Sequence, residues 1–499
     1  MLNPARVGDV MTALTAATLE SLADAVATPQ YDRESVTVGI VHFGVGGFHR
    51  AHQAMYLDEL MNRGQALDFG ICGVGVMPGD RRMQAVLKAQ DGLYTLVLKH
   101  ADGRREARVI GSLLDYLYAP DDPEAVIERM ACDSTRIVSL TVTEGGYNFH
   151  QVTGEFDFDN PDIRHDLDTQ AVPKTFFGLI VEALHRRRER GLDPFTLMSC
   201  DNIQANGDVA RDAFVAFARR RDEALGAWIE AQVPFPNSMV DRITPVTTDE
   251  DRAEVRERFS IEDGWPVVCE PFTQWVLEDR FSLGRPPYEE VGVQVVEDVM
   301  PYELMKLRLL NASHQALTYF GYLDGYRYAH EVCQDPLHVD FLLGYMTYEG
   351  APTLPEVPGV DIEAYRHTLI ERFANPAIRD TLARLCAESS DRIPKWLLPV
   401  VRDQLERGGP IERSAAVVAS WARYAEGVDE QGEPIEIVDR LADELRAIAQ
   451  QNRDTPLAFI ENRKLFGDLA DSERFVEAYR RALASLHQRG ARATLETLV

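Results

Sequence analysis

The sequence predicts an α/β protein in two parts: an N-terminal domain built on a mostly parallel sheet over residues 1–292, and a mainly α-helical C-terminal domain over residues 293–499. Three observations predict it. A chain of 499 residues exceeds what one hydrophobic core ordinarily organises, so at least two domains are expected. Before residue 300, short apolar, β-branched runs alternate with amphipathic stretches; beyond it nearly every stretch has helical spacing. The first strand-like run also leads directly into a glycine-rich turn, Gly44-Val45-Gly46-Gly47.

Residues 36–43 (VTVGIVHF), 69–76 (FGICGVGV), 94–99 (YTLVLK), 137–143 (IVSLTVT) and 195–200 (FTLMSC) read as buried strands, because each is a short, nearly unbroken apolar run. The stretches between them, such as 123–132 and 174–190, have helical spacing. Strand and helix in alternation imply a parallel sheet covered by helices on both faces. Helices are then expected at 301–323, 337–348, 362–374, 377–387, 394–407, 414–426, 435–450 and 471–487. Pro301 suits a first-turn position, where its missing N–H costs nothing, and Glu303 suits the positive end of the same helix. Gly325, followed by Tyr326, marks its stop. The domains should join near residues 285–300, and clefts between domains are where small-molecule sites tend to lie.

Composition narrows the function. Hydrophobic residues at 45% and charged residues at 26% are those of a folded, water-soluble protein. With 52 Lys and Arg against 80 Asp and Glu, the formal charge of −28 would repel a phosphate backbone and anionic lipid alike, so neither nucleic acid nor membrane is an expected partner. The start, MLNPARVGDVMTALTAATLESLADAV, lacks a secretory signal's basic end followed by an unbroken apolar run, and a cytoplasmic location is expected. Cys72, Cys132, Cys200, Cys269, Cys333 and Cys386 are scattered without a CxxC pair, which reads as reduced, mostly buried thiols.

In the turn Gly44-Val45-Gly46-Gly47-Phe48-His49-Arg50, glycine allows the tight bend and lets backbone approach a pyrophosphate at the following helix. A Rossmann-like domain binding NAD is the expectation, although His49 stands where the third glycine of GxGxxG belongs, and a structural turn that binds nothing is the alternative. Gly44, Gly46, Gly47, Phe48 and Arg50 form the expected cofactor set, with Thr143 and Glu144 from a later strand's end. Arg50 could reach the pyrophosphate or brace the domain join. Asp80, after the second strand, is the candidate for the adenosine ribose hydroxyls and favours NAD over NADP. Arg81 and Arg82 beside it could instead welcome a 2′-phosphate, and a solvated turn aspartate is the alternative. His42, His49 and His52 straddle a strand end and a glycine turn, so their side chains need not converge, and no metal site is expected there.

Lys306, Asn311 and His314 make the strongest constellation. On an α-helix, Asn311 and His314 lie roughly 140° and 80° around from Lys306, within one arc. The alternative is a solvated polar stripe opposite Leu307, Leu309 and Leu310. Oxidising a secondary alcohol requires a base for the hydroxyl proton and donors for the developing alkoxide. Burial and a nearby positive charge favour the neutral form of an amine, so a lysine so placed can be that base.

Taken together, GVGGFHRAH from Gly44, QDGLYTL from Gln90, TVTEGGY from Thr141, SCDNIQANG from Ser199, FPNSMVDRITP from Phe235 and KLRLLNASH from Lys306 resemble the polyol-specific long-chain dehydrogenase/reductase family over most of the chain. The resemblance implies Lys306 as catalytic base, with Asn311 and His314 polarising the substrate oxygen. It further implies Asn202 and Asp241 on substrate hydroxyls with Asn206 nearby, and Glu303 in the lysine's proton path. Asp241 could instead brace Arg242. Arg384 and Lys395 are implied as substrate contacts in a segment that also holds Arg392, and related hexuronate reductases tend to have a lysine where Arg392 aligns. The activity implied is metal-independent, NAD-dependent interconversion of D-mannitol and D-fructose by a monomer. D-arabinitol, D-sorbitol or a hexuronate such as fructuronate or tagaturonate are rival substrates, since Arg384, Arg392 and Lys395 could pair a carboxylate. An NAD-binding sensor without turnover is the rival from another class, which the intact Lys-Asn-His spacing disfavours.

Overall fold

The computed structural model describes residues 11–150 and 154–499; the first ten positions of the segment read for a secretory signal lie outside the described residues. The chain divides into two compact units, Met1–Val299 and Met300–Val499. The expected boundary after residue 292 falls short of this division, because the strand Gln294–Val296 pairs in parallel with Gln274–Glu278 and so stays with the first unit.

Five strands form the central sheet of that unit, in the order Leu113–Tyr118, Gly70–Gly75, Val38–Phe43, Ile137–Leu140, Thr196–Ser199. Every pairing in it is parallel. Numbered along the chain this is 3-2-1-4-5, the order in which a crevice opens where the winding reverses, beyond the carboxyl ends of the first and fourth strands. Successive residues of a strand point to opposite faces. Val41, Phe43, Cys72, Val74, Val138 and Leu140 therefore enter one core, with Phe177, Ile180 and Phe214 from the helices Phe176–Glu189 and Asn206–Arg221. Ile40, Ile71, Ile137 and Met198 enter the other, with Leu57, Trp275 and Tyr288. Two buried faces explain why these strands read as continuous apolar runs.

The strands depart from expectation in three ways. The run 94–99 is a strand, but it belongs to a separate three-stranded sheet, antiparallel to Arg105–Ile110 and parallel to Val267–Cys269. Arg105–Ile110 and Leu113–Tyr118 escape a search for apolar runs because charged residues interrupt them and half-exposed positions lie on both faces. The expected strand 137–143 ends at Leu140, since Thr143 takes a left-handed φ of 65°.

The second unit is helical. Its central helix, Ala312–Leu323, is buried nearly all round and packs on Glu412–Tyr424, Leu382–Cys386 and Glu473–Leu495. It stops where expected: Gly325 takes φ 99°, and the Tyr326 N–H turns back to the Gly321 carbonyl. Three expected helices are corrected. The stretch 377–387 shortens to Leu382–Cys386, because Arg379 is left-handed and Thr381 caps the later start. The stretch 394–407 becomes Ser389–Trp396 and Leu398–Arg407, the chain breaking at Leu397 before a first-turn proline. The stretch 435–450 shrinks to Ala442–Ala449, with Ile435 bonded back to Gly427 and Asp439 holding Ser390. Among the described residues no helix is long and apolar enough to cross a membrane. All six cysteines are free and only Cys132 is not buried.

Candidate active site

The first unit carries the candidate cofactor residues at the crevice of its sheet. Gly44 follows the first strand with φ 90°, and a Cβ there would lie 2.1 Å from the Thr141 carbonyl oxygen. Only glycine tolerates both the dihedral and the approach. Gly46 is different: its backbone is extended, and a Cβ there would meet nothing nearer than the Gly44 carbonyl oxygen at 3.8 Å. The turn's backbone at Gly46 therefore lies open, and Gly47 begins the helix Gly47–Ala51. Phe48 is half-buried, its ring stacked on His52 at 4.8 Å.

His49, in place of the third glycine, is buried with its ring stacked on His42, centroids 3.4 Å apart. An imidazole pair thus makes the helix-to-strand contact that glycine makes by close approach. The rings of His42 and His49 converge, although a strand end and a glycine turn do not require it. His42 Nδ1 lies 2.8 Å from Ser139 Oγ and its Nε2 3.0 Å from Thr141 Oγ1, while burial pushes its pKa down to about 3. His52 Nε2 meets the Gln274 carbonyl oxygen at 3.1 Å.

Arg50 is corrected. Its guanidinium is buried, donates to the Trp265 carbonyl oxygen and lies over the Tyr94 ring, so the residue braces the interior of the first unit rather than facing the open side of the turn. Asp80 opens the helix Asp80–Ala89, and its Oδ2 accepts from the amides of Val76 and Met77, which fixes the carboxylate at the end of the second strand. Its neighbours are turned to other work: Arg81 pairs with Asp121, and Arg82 lies over the Trp265 ring.

Thr143 and Glu144 are exposed on the loop that leaves the fourth strand. This loop lies against the glycine turn, since Thr141 Oγ1 donates to the Gly44 carbonyl oxygen at 2.6 Å. Beyond the fifth strand, Asn202 is exposed, whereas Asn206 is fully buried. Asn206 Nδ2 donates to the carbonyls of Asp201 and Ser238 and its Oδ1 accepts from the Ser238 amide, which makes it a strut. Asp241 is buried at the end of the strand Ser238–Asp241. Arg242 donates to the carbonyl oxygens of Glu270 and Ala51.

The second unit carries the candidate catalytic residues. The helix that begins at Met300 is not α-helical throughout: Lys306–Asn311 is a π-helix, continued by Ala312–Leu323. Bonding from i to i+5 sets residues five apart one above the other, so Lys306 and Asn311 are nearer to alignment than the α-helical spacing implies. Both are buried, at 6% and 4% exposed, which excludes the solvated stripe for this pair. Tyr345, opening a second π-helix over Tyr345–Gly350, donates its hydroxyl to the Arg308 carbonyl oxygen inside the first at 2.9 Å. His314 is half-buried, with its ring 4.4 Å from that of Phe373. Glu303 is buried in the first turn.

Arg384 is exposed, and both prongs of its guanidinium go to Asp380. Arg392 donates to the Leu385 carbonyl oxygen and lies over the Trp396 ring. Lys395 is exposed on Ser389–Trp396. Among the described residues, the cluster geometrically able to hold a cation is Asp324, Asp335 and His338. The Arg492 guanidinium already bonds both carboxylates of that cluster. A surface hollow of about 430 Å³ lined by Lys99, Asp251, Glu254 and Arg258 shares no residue with the glycine turn, and Lys99 pairs with Asp251 and Glu254 across it.

Sequence reading missed Asp201 and Tyr345. Asp201 carried a signal, a carboxylate directly after a buried strand at the carboxyl edge of a parallel sheet. Tyr345 carried none.

Residues 38–290 match the family model of the mannitol dehydrogenase Rossmann domain, and residues 298–487 that of the mannitol dehydrogenase C-terminal domain. A mannitol 2-dehydrogenase of Phaeosphaeria nodorum is 47% identical over 99% of this chain and 86% of its own length. The structure of Pseudomonas fluorescens mannitol 2-dehydrogenase in ternary complex with NAD and D-mannitol superposes with a TM-score of 0.87 at 46% identity, covering 98% of this chain and 99% of that one. A D-sorbitol dehydrogenase in substrate-free form gives a TM-score of 0.91 at 38% identity, over 97% of this chain and 100% of that one.

Proposed function

Because the chain belongs to the mannitol dehydrogenase family, we propose that it is an NAD-dependent polyol dehydrogenase interconverting D-mannitol and D-fructose at C2. The single observation that carries the reading is the match along the whole chain to a relative whose structure holds both NAD and D-mannitol. The residues present fit NAD. The backbone at Gly46 is open to a diphosphate, and Asp80 presents a negative carboxylate where a ribose diol belongs and a 2′-phosphate does not. Both neighbouring arginines are engaged elsewhere. Gly44, Gly46, Gly47, Phe48, Asp80, Thr143 and Glu144 would hold the cofactor. When bound, NAD supplies the acceptor for the hydride of C2.

The remaining work belongs to side chains. Lys306 Nζ takes the C2 hydroxyl proton, Asn311 and His314 stabilise the developing negative charge on that oxygen, and Glu303 receives the proton from the lysine. Asn202 and Asp241 accept from other hydroxyls of the polyol, and Arg384 and Lys395 are further contacts. The proposal includes a monomer in the cytoplasm, since a charge of −28 opposes self-association.

D-sorbitol is the second reading, favoured by the likeness to a D-sorbitol dehydrogenase. The two alditols are epimers at C2 and both yield D-fructose. A panel of polyols and uronates followed by NADH absorbance, with identification of the alditol formed from fructose, decides between them. Lys306→Ala should lower kcat by roughly 10²- to 10⁴-fold while NADH still binds. Undiminished turnover in that variant overturns the mechanism.

A further inference from the structure

Thr143 has φ 65° and ψ 166°, a region of backbone space that is essentially reserved for glycine and is a genuine outlier for a β-branched residue. Its side chain is exposed, so burial of the threonine does not offset the strain. What holds the conformation is a carboxylate. Asp201, 5% exposed, accepts from the Thr143 amide at 2.7 Å on Oδ1, and on Oδ2 from the Val142 amide at 3.2 Å and the Tyr147 hydroxyl at 2.7 Å. Ser199 Oγ lies 2.7 Å from the same hydroxyl and accepts from the Asp201 amide at 3.2 Å. Upstream, the Thr141 amide and hydroxyl donate to the carbonyl oxygens of Phe43 and Gly44, so the loop's start is tied to the glycine turn and its middle to Asp201. Burial raises the pKa of Asp201, and the bonds it accepts from Tyr147, Thr143 and Val142 oppose that rise, so the same donors that the carboxylate ties together also favour its charged form.

We infer that Asp201 is a positioning residue: its buried carboxylate clamps Thr143 in a conformation threonine avoids, and thereby fixes Thr143 and Glu144 beside the glycine turn for contact with the nicotinamide half of the cofactor. The clamp itself follows from the geometry; its effect on cofactor rests on the assignment of this loop to NAD under the proposed function. Asp201 also precedes Asn202, so one short segment sets the loop and presents a substrate residue.

A double-mutant cycle tests it. Asp201→Asn keeps the size but turns an N–H₂ toward a donor. In the parent it should weaken NADH binding, read by fluorescence titration, by about 10-fold or more, and lower kcat. In a Thr143→Gly background the same change should cost no more than about 2- to 3-fold, because glycine needs no clamp. Equal losses in both backgrounds, or no loss in the parent, overturn the inference, since a merely structural carboxylate has no reason to couple to the dihedral at residue 143. Should Asp201→Asn fail to fold, Thr143→Gly against Thr143→Ala gives the answer by Tm. Glycine should melt higher than alanine here, against their usual entropic order, and alanine melting equal or higher overturns the strain. An unsubstituted protein that binds no NADH overturns the cofactor reading, and the cycle read as Tm then decides the clamp alone.

Discussion

Two glycines of one turn should fail in opposite ways when given a methyl group. At Gly44, alanine would have to hold φ 90° and place its Cβ 2.1 Å from the Thr141 carbonyl oxygen. That oxygen cannot easily yield, because the Thr141 amide is bonded to Phe43 and its hydroxyl to Gly44 itself. A left-handed L-residue costs about 1–2 kcal/mol, and overpacking a close contact about 1–3 kcal/mol more. A loss on the order of 2–5 kcal/mol corresponds to roughly 3–8 °C in the melting of a unit this large. At Gly46, the extended backbone suits any residue and the nearest atom is 3.8 Å from the new Cβ, so Gly46→Ala should melt with the parent. Its methyl group instead occupies the space through which a diphosphate meets the turn, and NADH affinity should fall by about 10- to 100-fold, equivalent to about 1.4–3 kcal/mol. Thermal melts and NADH fluorescence titrations on both variants provide the assay. A Gly46→Ala protein that binds NADH as tightly as the parent refutes the placement of the cofactor, and a Gly44→Ala protein with unchanged Tm refutes the close approach.

Asp80→Ala should raise the ratio of kcat/KM with NADP to that with NAD by about 10-fold or more, since it removes both the ribose acceptor and the charge that repels a 2′-phosphate; an unchanged ratio in steady-state assays would count against Asp80. Acid should destabilise the fold through the stacked pair beneath the glycine turn. Burial lowers the pKa of His42 to about 3 and that of His49 in the same direction, so both are neutral in the fold while the unfolded chain takes up protons below about pH 6.5. Their contribution is thus complete above about pH 6.5 and is lost as pH falls toward the folded values. The slope approaches about 1.4 kcal/mol per pH unit per histidine, visible as a falling urea midpoint between about pH 7 and 5, and a flat midpoint there would refute it.

Much of this protein is written in local pattern. The alternation of apolar runs and amphipathic stretches before residue 300, and the helical spacing after it, announce a parallel sheet followed by helices, because buried strands and one-sided helices impose different periods on their residues. The turn at Gly44, the acid at Asp80 and the Lys306, Asn311 and His314 spacing are likewise readable, since each depends on neighbours within a few positions. What tertiary structure alone decided concerns partners distant in sequence or set by the folded backbone. Arg50, read as reaching a pyrophosphate or bracing the domain join, turns to the Trp265 carbonyl oxygen, and Arg384 pairs with Asp380. Lys306 and Asn311 sit on a π-helix whose Arg308 carbonyl oxygen is met by Tyr345, and Thr143 owes its backbone to Asp201. A hydrogen-bonding group buried by folding must find a partner wherever the fold brings one, and which group that is depends on the packing of elements scores of residues apart, which no local period encodes.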